Sequence, residues 1–312
     1  MCRKAHLMTF PSYYDPARIG QLYNPNVAAA ADFGLKAGFT PAYRDDFRVF
    51  LLLVDIQADF VHPDGALSVP GAIEDTRRII EWIYTHAGQI TQIGATLDSH
   101  LPIQIFSPTW WANRDGEHPA PYTEITSQEV KNGAWTPLYE VEWSRQYVEV
   151  LEEQAKKRLM IWPYHTLVGT PGHAVVPALL EAIAYHTAAR QAQPNMYTKG
   201  MIPKTENYSV IEPEVKVPDH PNGRVNTALM DEIATYDLIY IAGQAKSHCV
   251  LETVTSLMRY YPSHIVSKIR ILEDAMSSVA HPVIDFEAIA KTQFDMFVSH
   301  GLIMTKTTEP IG

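Results

Sequence analysis

The amino-acid sequence predicts a single α/β domain of three layers, with helices on both faces of a mainly parallel β-sheet. Three observations support this prediction. Short apolar runs of strand length recur along the 312 residues, segments of helical periodicity stand between them, and polar residues follow the ends of the strands. Hydrophobic residues make up 46% of the chain, which is enough for a large buried core.

Six apolar segments are predicted to form strands. The first, FRVFLLLVDI, is almost continuously apolar and ends in an acid, which is typical of a strand buried on both faces. Parallel strands are joined by right-handed crossovers, so their polar carboxyl ends should share one edge of the sheet. The six segments are 47–56, 90–100, 158–162, 195–200, 236–243 and 268–275.

Three segments between the strands are predicted to be helices, because their apolar residues recur at helical spacing. They are residues 71–87, 172–189 and 248–261. The last of them opens at a cysteine that follows a predicted strand and its turn.

Two regions do not follow this alternation. Residues 1–47 are rich in Pro, Tyr and Asn and are expected to form an N-terminal extension that wraps the domain or reaches a neighbouring subunit. The domain is expected to span 48–305, with an insertion at about 103–157 that is either a functional lid or decoration. Four tryptophans lie in this insertion: Trp110, Trp111, Trp135 and Trp143.

The charge balance argues against some classes of partner. The formal net charge is −10, so the surface should repel nucleic acid and anionic membranes. No apolar run approaches about 20 residues, so no membrane-spanning helix is expected. The first residues lack the apolar core of a secretion signal, which makes a cytoplasmic location the expectation.

The chain has two cysteines, Cys2 and Cys249, so a disulfide framework is not expected. Cys249 begins a predicted helix, where the partial positive charge of the helix end favours a thiolate. Free backbone N–H groups at such a turn can also bind an oxyanion. The alternative is that Cys249 is a buried structural cysteine.

Asp55 and Lys199 each stand at the end of a predicted strand. An acid and a lysine beside a thiol would tune its pKa, and the acid could take its proton. Either residue could instead have an ordinary role, Asp55 as the cap of a turn and Lys199 at a solvated strand end.

Asp98 and His100 stand two residues apart at the end of the second strand, so their side chains point the same way. His165 follows in a later segment, WPYHTLVGTPG. One carboxylate and two imidazoles suit zinc, iron or manganese with positions open for water. Taken singly, each histidine could equally be structural.

Five segments, in order, resemble the nicotinamidase branch of the isochorismatase-like cysteine hydrolases. The resemblance covers about residues 48–300 and implies their Rossmann-like hydrolase fold. The segments are VDIQADFVHPDGAL, TLDSH, WPYHTLVGTPG, KGMIPKTENYS and GQAKSHCVLET.

The resemblance implies a catalytic triad of Asp55, Lys199 and Cys249. The peptide between Gln244 and Ala245 matches the cis bond of that family. The N–H groups of Ala245 and Cys249 would then form the oxyanion hole.

The resemblance further implies one divalent metal ion, with zinc as the first choice and iron or manganese as alternatives, held by Asp98, His100 and His165. The flat pyridine ring of a substrate would lie among aromatic side chains that match the pocket of nicotinamidases. These are Phe60, Trp162, Tyr208 and His248.

The sequence departs from the family pattern near the metal. Some nicotinamidases carry a further histidine ligand where this chain has Ile105, so water, His118 or Glu117 would have to complete the site. The residues before the nucleophile are Lys246-Ser247 in place of Thr-Asp. These differences leave the triad intact and the substrate open.

The implied activity is hydrolysis of nicotinamide to nicotinate and ammonia through a thioester on Cys249, an amidase step of NAD salvage. The implied partners are a small amide and further copies of the chain in a homo-oligomer. Three alternatives stay open: a related cysteine amidase for a carbamoyl or maleamate-type amide, a metallohydrolase in which Cys249 is a bystander, and a catalytically silent binding or assembly protein.

Overall fold

The computed structural model describes residues 10–155 and 157–312, and its centre is a six-stranded β-sheet. The strands are β1 (Val49–Val54), β2 (Gln92–Asp98), β3 (Trp111–Ala112), β4 (Glu124–Ile125), β5 (Thr136–Pro137), β6 (Leu159–Met160), β7 (Asn195–Lys199), β8 (Leu238–Gly243), β9 (Ile269–Leu272) and β10 (Ile303–Thr305). The central sheet has the order β10-β9-β8-β1-β2-β7, and all neighbours in it are parallel. The short strands form two antiparallel pairs, β3 with β5 and β4 with β6.

The helices are α1 (Val27–Lys36), α2 (Ala58–Val61), α3 (Ala72–His86), α4 (Ser127–Asn132), α5 (Val141–Val150), α6 (Pro177–Arg190), α7 (Thr227–Ala234), α8 (Leu251–Tyr260), α9 (Ser263–Val266) and α10 (Phe286–Ser299). A π-helical turn, Lys246–Val250, leads directly into α8. None of the helices in the described part of the chain has the length and apolar character needed to cross a membrane.

The central strand β1 shows why both faces of the sheet are covered. Its side chains alternate between two hydrophobic cores, and none of its six residues is more than 1% exposed. Leu51 and Leu53 share one core with residues of α3 and α6, whereas Leu52 and Val54 share the other with residues of α7, α8 and α10. Full burial of each such side chain contributes roughly 1.5–3 kcal/mol. The predicted three-layer α/β fold is confirmed.

Five of the six predicted strands lie in the central sheet, and the short strand predicted near 158–162 forms outside it. Only Leu159–Met160 is extended there, and it pairs with β4 outside the central sheet. The sixth central strand is β10, which the sequence did not reveal because it is short and at the edge. Its first residue, Ile303, is 39% exposed, so the segment lacks the continuous apolar pattern of a buried strand.

Residues 10–47 lie against helices of the same chain. α1 packs so closely on α6 that a Cβ atom at Gly34 would lie 2.3 Å from the carbonyl oxygen of Tyr185. Farther along, the carboxylate of Asp45 pairs with the buried guanidinium of Arg190. The division of the chain into an extension, a domain and an insertion stays a prediction.

Candidate active site

The carboxyl ends of four neighbouring strands bring the predicted triad together. Asp55 directly follows β1, Lys199 is the last residue of β7, and Cys249 comes shortly after β8. β2 lies between β1 and β7, and its last residue, Asp98, pairs in register with Lys199. Strand order and register therefore bring the charged side chains of Asp55, Asp98 and Lys199 to one point on the edge of the sheet. The other cysteine, Cys2, is outside the described residues.

Lys199 makes the central contacts of this cluster. Its Nζ lies 2.8 Å from Asp55 Oδ2 and 2.9 Å from Asp98 Oδ1. The same nitrogen donates to the carbonyl oxygen of Asn207 at 3.1 Å and lies 3.5 Å from the sulfur of Cys249. The side chains of Lys199, Asp55 and Asp98 are buried, so one ammonium group compensates two carboxylates away from water.

The electrostatic environment sets the protonation of the triad. Burial raises the pKa of the Cys249 thiol well above its usual range, with Lys199 opposing the rise and Asp55 adding to it. Burial also raises the pKa of Asp55, although Lys199 opposes it. Burial alone would lower the pKa of Lys199, but the two carboxylates outweigh it and hold that pKa well above its usual value. The resting thiol therefore keeps its proton, in contrast to the thiolate predicted from the helix end, and attack requires a base.

Cys249 stands on a turn that leaves a backbone donor free. Cys249 lies in the π-helical turn, two residues before α8 begins. The Gln244–Ala245 peptide is cis, as the resemblance implied. No hydrogen bond among the described residues uses the N–H of Ala245, so this group is available to an incoming oxygen.

A glycine allows this turn to start where it does. Gly243, the last residue of β8, has a φ of +131°, and a Cβ atom there would lie 2.1 Å from the carbonyl oxygen of Val54. Only glycine accepts both this conformation and this close approach. β8 can therefore end directly beside the end of β1, next to Asp55.

Asp98, His100 and His165 bring three donor atoms together. The Nε2 atoms of His100 and His165 lie 2.9 and 3.7 Å from Asp98 Oδ2, and donor atoms of all three residues lie within 4.8 Å of one another. The Nδ1 atom of His100 faces the carbonyl oxygen of Gly200 at 3.4 Å, and that of His165 faces Pro163 at 2.7 Å. Backbone contacts of this kind orient the rings of metal-binding histidines and leave Nε2 for the cation.

The chemistry of these donors fits a divalent metal ion. Burial lowers the pKa of His100, although Asp98 opposes the shift. Lowering of this pKa favours the neutral imidazole, which is the form that binds metals. Among the His, Cys, Asp and Glu side chains of residues 10–155 and 157–312, no fourth one joins the three. The set could thus hold an ion and leave positions open.

The position that carries a further histidine in some nicotinamidases is apolar here. Ile105 is fully buried, and its carbonyl oxygen accepts a hydrogen bond from Trp111 Nε1 at 2.6 Å. Neither candidate from the predicted insertion joins the three donors. His118 turns its Nδ1 to the carbonyl oxygen of Trp111 at 2.6 Å, and Glu117 accepts from Asn113 at 3.2 Å.

A cavity lies beside Cys249 and the three donors, and its walls are largely aromatic. The rings of Phe60 and His165 lie 5.6 Å apart between centroids, and those of Trp162 and His248 lie 5.2 Å apart. Such faces suit a small flat molecule. No lysine or arginine of the described residues lines this cavity. All four residues that were predicted to form the pocket line this cavity: Phe60, Trp162, Tyr208 and His248.

Sequence reasoning missed several residues of the site. Gln57 fixes Asp98 from both sides, because its Oε1 accepts from the Asp98 N–H at 2.8 Å and its Nε2 donates to the Asp98 carbonyl at 2.8 Å. Gln57 and Glu206 stand within segments that carried the resemblance, so a signal was present for both. Nothing in the sequence marks Val279. The further lining residues are Leu67, Phe106, Glu206, Asn207 and Val279.

Solved structures of nicotinamidases and pyrazinamidases have the same fold. The yeast nicotinamidase Pnc1p bound to the inhibitor nicotinaldehyde aligns with a TM-score of 0.57 at 19% identity, over 83% of this chain and 99% of its own. A nicotinamidase and pyrazinamidase of Acinetobacter baumanii gives 0.55 at 17% identity, over 85% and 99%. The pyrazinamidase of Pyrococcus horikoshii in complex with zinc gives 0.50 at 19% identity, over 83% and 99%.

These likenesses show that the chain has the isochorismatase-like three-layer fold. No family model matches the sequence, and no curated protein matches it.

Proposed function

We propose that the protein hydrolyses a small aromatic carboxamide, nicotinamide first of all, to the carboxylate and ammonia, with Cys249 as the nucleophile. The observation that carries this proposal is the position of Lys199 Nζ, 2.8 Å from Asp55 and 3.5 Å from the sulfur, in a cluster that borders three metal donors. A structural cysteine would have no need of a buried acid and a buried cation beside it. The nicotinaldehyde bound to the yeast nicotinamidase is a further support.

The first half of the reaction forms a thioester. Asp55 takes the proton of the Cys249 thiol while the sulfur attacks the amide carbon. The N–H groups of Ala245 and Cys249 donate to the oxygen that becomes negative, and each donor of this kind contributes roughly 3 kcal/mol. Asp55 then passes its proton to the amide nitrogen, the C–N bond breaks, and ammonia leaves.

The second half releases the acid. Asp55 takes a proton from a water molecule whose oxygen attacks the thioester carbon. The C–S bond breaks, and the proton returns to the sulfur. The sum is one amide and one water converted to one acid and one ammonia. Lys199 stays protonated throughout, because its pKa is well above the usual value, and it offsets the charge on Asp55.

Asp98, His100 and His165 would hold one divalent metal ion, and zinc is the ion that we propose, as in the pyrazinamidase of Pyrococcus horikoshii. When bound, the ion supplies a Lewis-acidic contact for a ring nitrogen of the substrate. Phe60, Trp162, Tyr208 and His248 would hold the ring of the substrate between their faces.

The lining of the cavity favours a neutral aromatic amide over a maleamate-type substrate. Two acids, Asp98 and Glu206, border the cavity, and among the described residues no lysine or arginine lines it. A substrate with its own carboxylate would find no lysine or arginine side chain there to pair with. A homo-oligomeric cytoplasmic enzyme of NAD salvage belongs to the same proposal.

The experiment that tests the proposal compares Cys249→Ala with Cys2→Ala. We expect the first variant to release no ammonia from nicotinamide while its metal content by elemental analysis equals that of the wild type. The matched Cys2→Ala variant should keep its turnover and lose it on alkylation with iodoacetamide, and nicotinamide should slow that loss. Turnover by the Cys249→Ala variant would favour attack by metal-bound water. Turnover of a carbamoyl or maleamate-type amide but not of nicotinamide would move the proposal to a related amidase.

A further inference from the structure

A buried carboxyl group stands in the wall of the cavity beside two aromatic residues of the pocket. Glu206 is 3% exposed and lines the cavity. Its Oε1 accepts a hydrogen bond from the Tyr208 hydroxyl at 2.5 Å, and its Oε2 accepts one from the Tyr147 hydroxyl at 3.0 Å. The mechanism above uses neither Glu206 nor Tyr147, so their burial and pairing need another explanation.

The directions of these hydrogen bonds are fixed by their partners. The Trp162 Nε1–H can only donate, and it points at the Tyr208 hydroxyl oxygen at 2.7 Å. The single proton of that hydroxyl is therefore left for Glu206. In the same way, the Glu206 N–H donates to the Tyr147 hydroxyl at 3.1 Å, which turns the Tyr147 proton to the carboxyl group. The result is one ordered chain of bonds that runs from Trp162 through Tyr208 to Glu206 and ends at Tyr147.

The chain of bonds joins the pocket to the insertion. Tyr147 lies on α5 and is fully buried, 59 positions from Glu206 in the sequence. α5 makes a second bond to the same loop, because Trp143 Nε1 donates to the carbonyl oxygen of Lys204 at 2.6 Å. One helix of the insertion thus holds the loop that carries Tyr208 at two points.

We propose that Tyr147 and Glu206 are positioning residues that orient the aromatic wall, formed by Trp162 and Tyr208, for the ring of the substrate. Neither residue has to touch the reacting atoms. Without the Tyr147 hydroxyl, Glu206 loses a donor at one oxygen and its own N–H loses an acceptor. Both groups are buried, so the loop must shift or take in water to satisfy them. The wall then becomes less ordered, while the triad stays in place on the strand ends. The kinetic part of the proposal rests on the proposed amidase function.

The first test needs no catalysis. The chain has six tryptophans, so an ¹⁵N-labelled sample gives up to six indole N–H signals, and Trp162→Phe identifies the one from Trp162. We expect Tyr147→Phe and Glu206→Gln each to shift or broaden this signal. The matched control is Tyr139→Phe, the same change on an exposed tyrosine of the insertion, which should leave it in place. A Trp162 signal that both variants leave unmoved would overturn the proposal.

The second test separates positioning from a general loss of structure. With nicotinamide as substrate, Tyr147→Phe should raise KM by about 5- to 30-fold and change kcat by less than about threefold, as expected for one lost hydrogen bond with buried partners. Glu206→Gln should lie between the wild type and Glu206→Ala, because the amide retains one acceptor for a tyrosine hydroxyl. An equal fall in kcat and kcat/KM would show that the role is not positioning.

The two tests also separate this inference from the proposed function. A wild-type protein that hydrolyses no amide would refute the function, and the indole signal would still decide the chain of bonds. If Tyr147→Phe does not fold, judged by circular dichroism, Glu206→Gln carries the same two measurements, since it changes only one atom of the side chain.

Discussion

The two sides of the cavity are built differently. On one side Asp55, Asp98 and Lys199 stand at strand ends, where strand order and parallel register set their positions, and Cys249 stands in the turn that follows β8. On the other side the aromatic wall of Trp162 and Tyr208 stands on loops. Tyr208 bonds to Trp162 and Glu206, and α5 holds the loop of Tyr208 through bonds from Tyr147 and Trp143. The proposed chemistry is thus tied to the core of the fold, whereas the proposed fit of the substrate is tied to loops.

The largest effect is expected from a substitution among the residues at the strand ends. Lys199→Met removes the only lysine or arginine side chain that pairs with the buried carboxylates Asp55 and Asp98 among the described residues. We expect turnover to fall on the order of 10⁴-fold. We also expect the free energy of unfolding to fall by about 3–5 kcal/mol in urea titrations, because two buried negative charges lose their partner. Lys291→Met, the same change at a 68% exposed side chain, is the control. Near wild-type stability of Lys199→Met would mean that the carboxylates are not charged.

Removal of a metal donor from the same side should come next. His100→Ala takes one of three donor groups away, and we expect metal affinity to fall by at least about 100-fold, above the loss typical of residues that only orient a ligand. Competition with a chromophoric chelator measures this affinity directly. The exposed His264→Ala variant should bind metal like the wild type. Full metal occupancy of His100→Ala at low metal concentration would refute its ligand role.

Ionisation of Glu206, which bonds to Tyr208 of the aromatic wall, should make the stability of the protein depend on pH. Burial raises the pKa of Glu206 to about 7, with hydrogen bonds from Tyr208 and Tyr147 opposing the rise. The group is ionised in the unfolded chain above about pH 4.3 but stays protonated in the folded protein up to about neutrality. Its contribution to stability is therefore complete at low pH and is lost as pH rises through the folded pKa.

Glu206→Gln cannot ionise, so it should escape this loss. We expect its free energy of unfolding, relative to the wild type, to rise by about 2–3 kcal/mol between pH 5 and pH 8. Urea titrations at four pH values measure the difference. A constant difference across this range would show that Glu206 is already ionised at pH 5 in the folded protein.

The smallest effect is expected for an ion pair that belongs to neither side of the cavity. Lys246 in the nucleophile turn pairs with Glu287 at the start of α10, whose side chain is 56% exposed. Such a pair is typically worth about 0–1 kcal/mol. Glu287→Gln should therefore change the free energy of unfolding by less than about 1 kcal/mol and kcat/KM by less than about twofold. A loss of tenfold or more in kcat/KM would mean that α10 helps to set the position of Cys249.

The strand-end side of the cavity was largely predictable from the sequence. The apolar runs predicted β1 and β8. Asp55 directly follows the first run, and the turn after the second run leads to Cys249, so the pattern also predicted where these two residues stand. Local pattern was sufficient because strands that are buried on both faces of a parallel sheet have nearly continuous apolar sequences. The thiolate was predicted from the helix end alone, and burial, which depends on the whole fold, reverses it.

The wall could not be predicted in the same way. The bond between Tyr147 and Glu206 spans 59 positions, and neither residue carries a periodic signal. The 158–162 segment looked like a central strand because a short apolar run does not reveal which partner it will pair with. It pairs with β4 instead, and Trp162 follows it into the pocket wall.

The order of strands in the sheet has a consequence for synthesis on the ribosome. β1 is made early, but one of its two neighbours is β8, almost 200 positions later, and the two pair along all six residues of β1. Until β8 emerges, a growing chain carries an apolar strand with one open edge, which is a template for aggregation. A chaperone bound to this edge of the half-made chain would prevent such aggregation. The need for it would end when the segment bearing Cys249 leaves the exit tunnel.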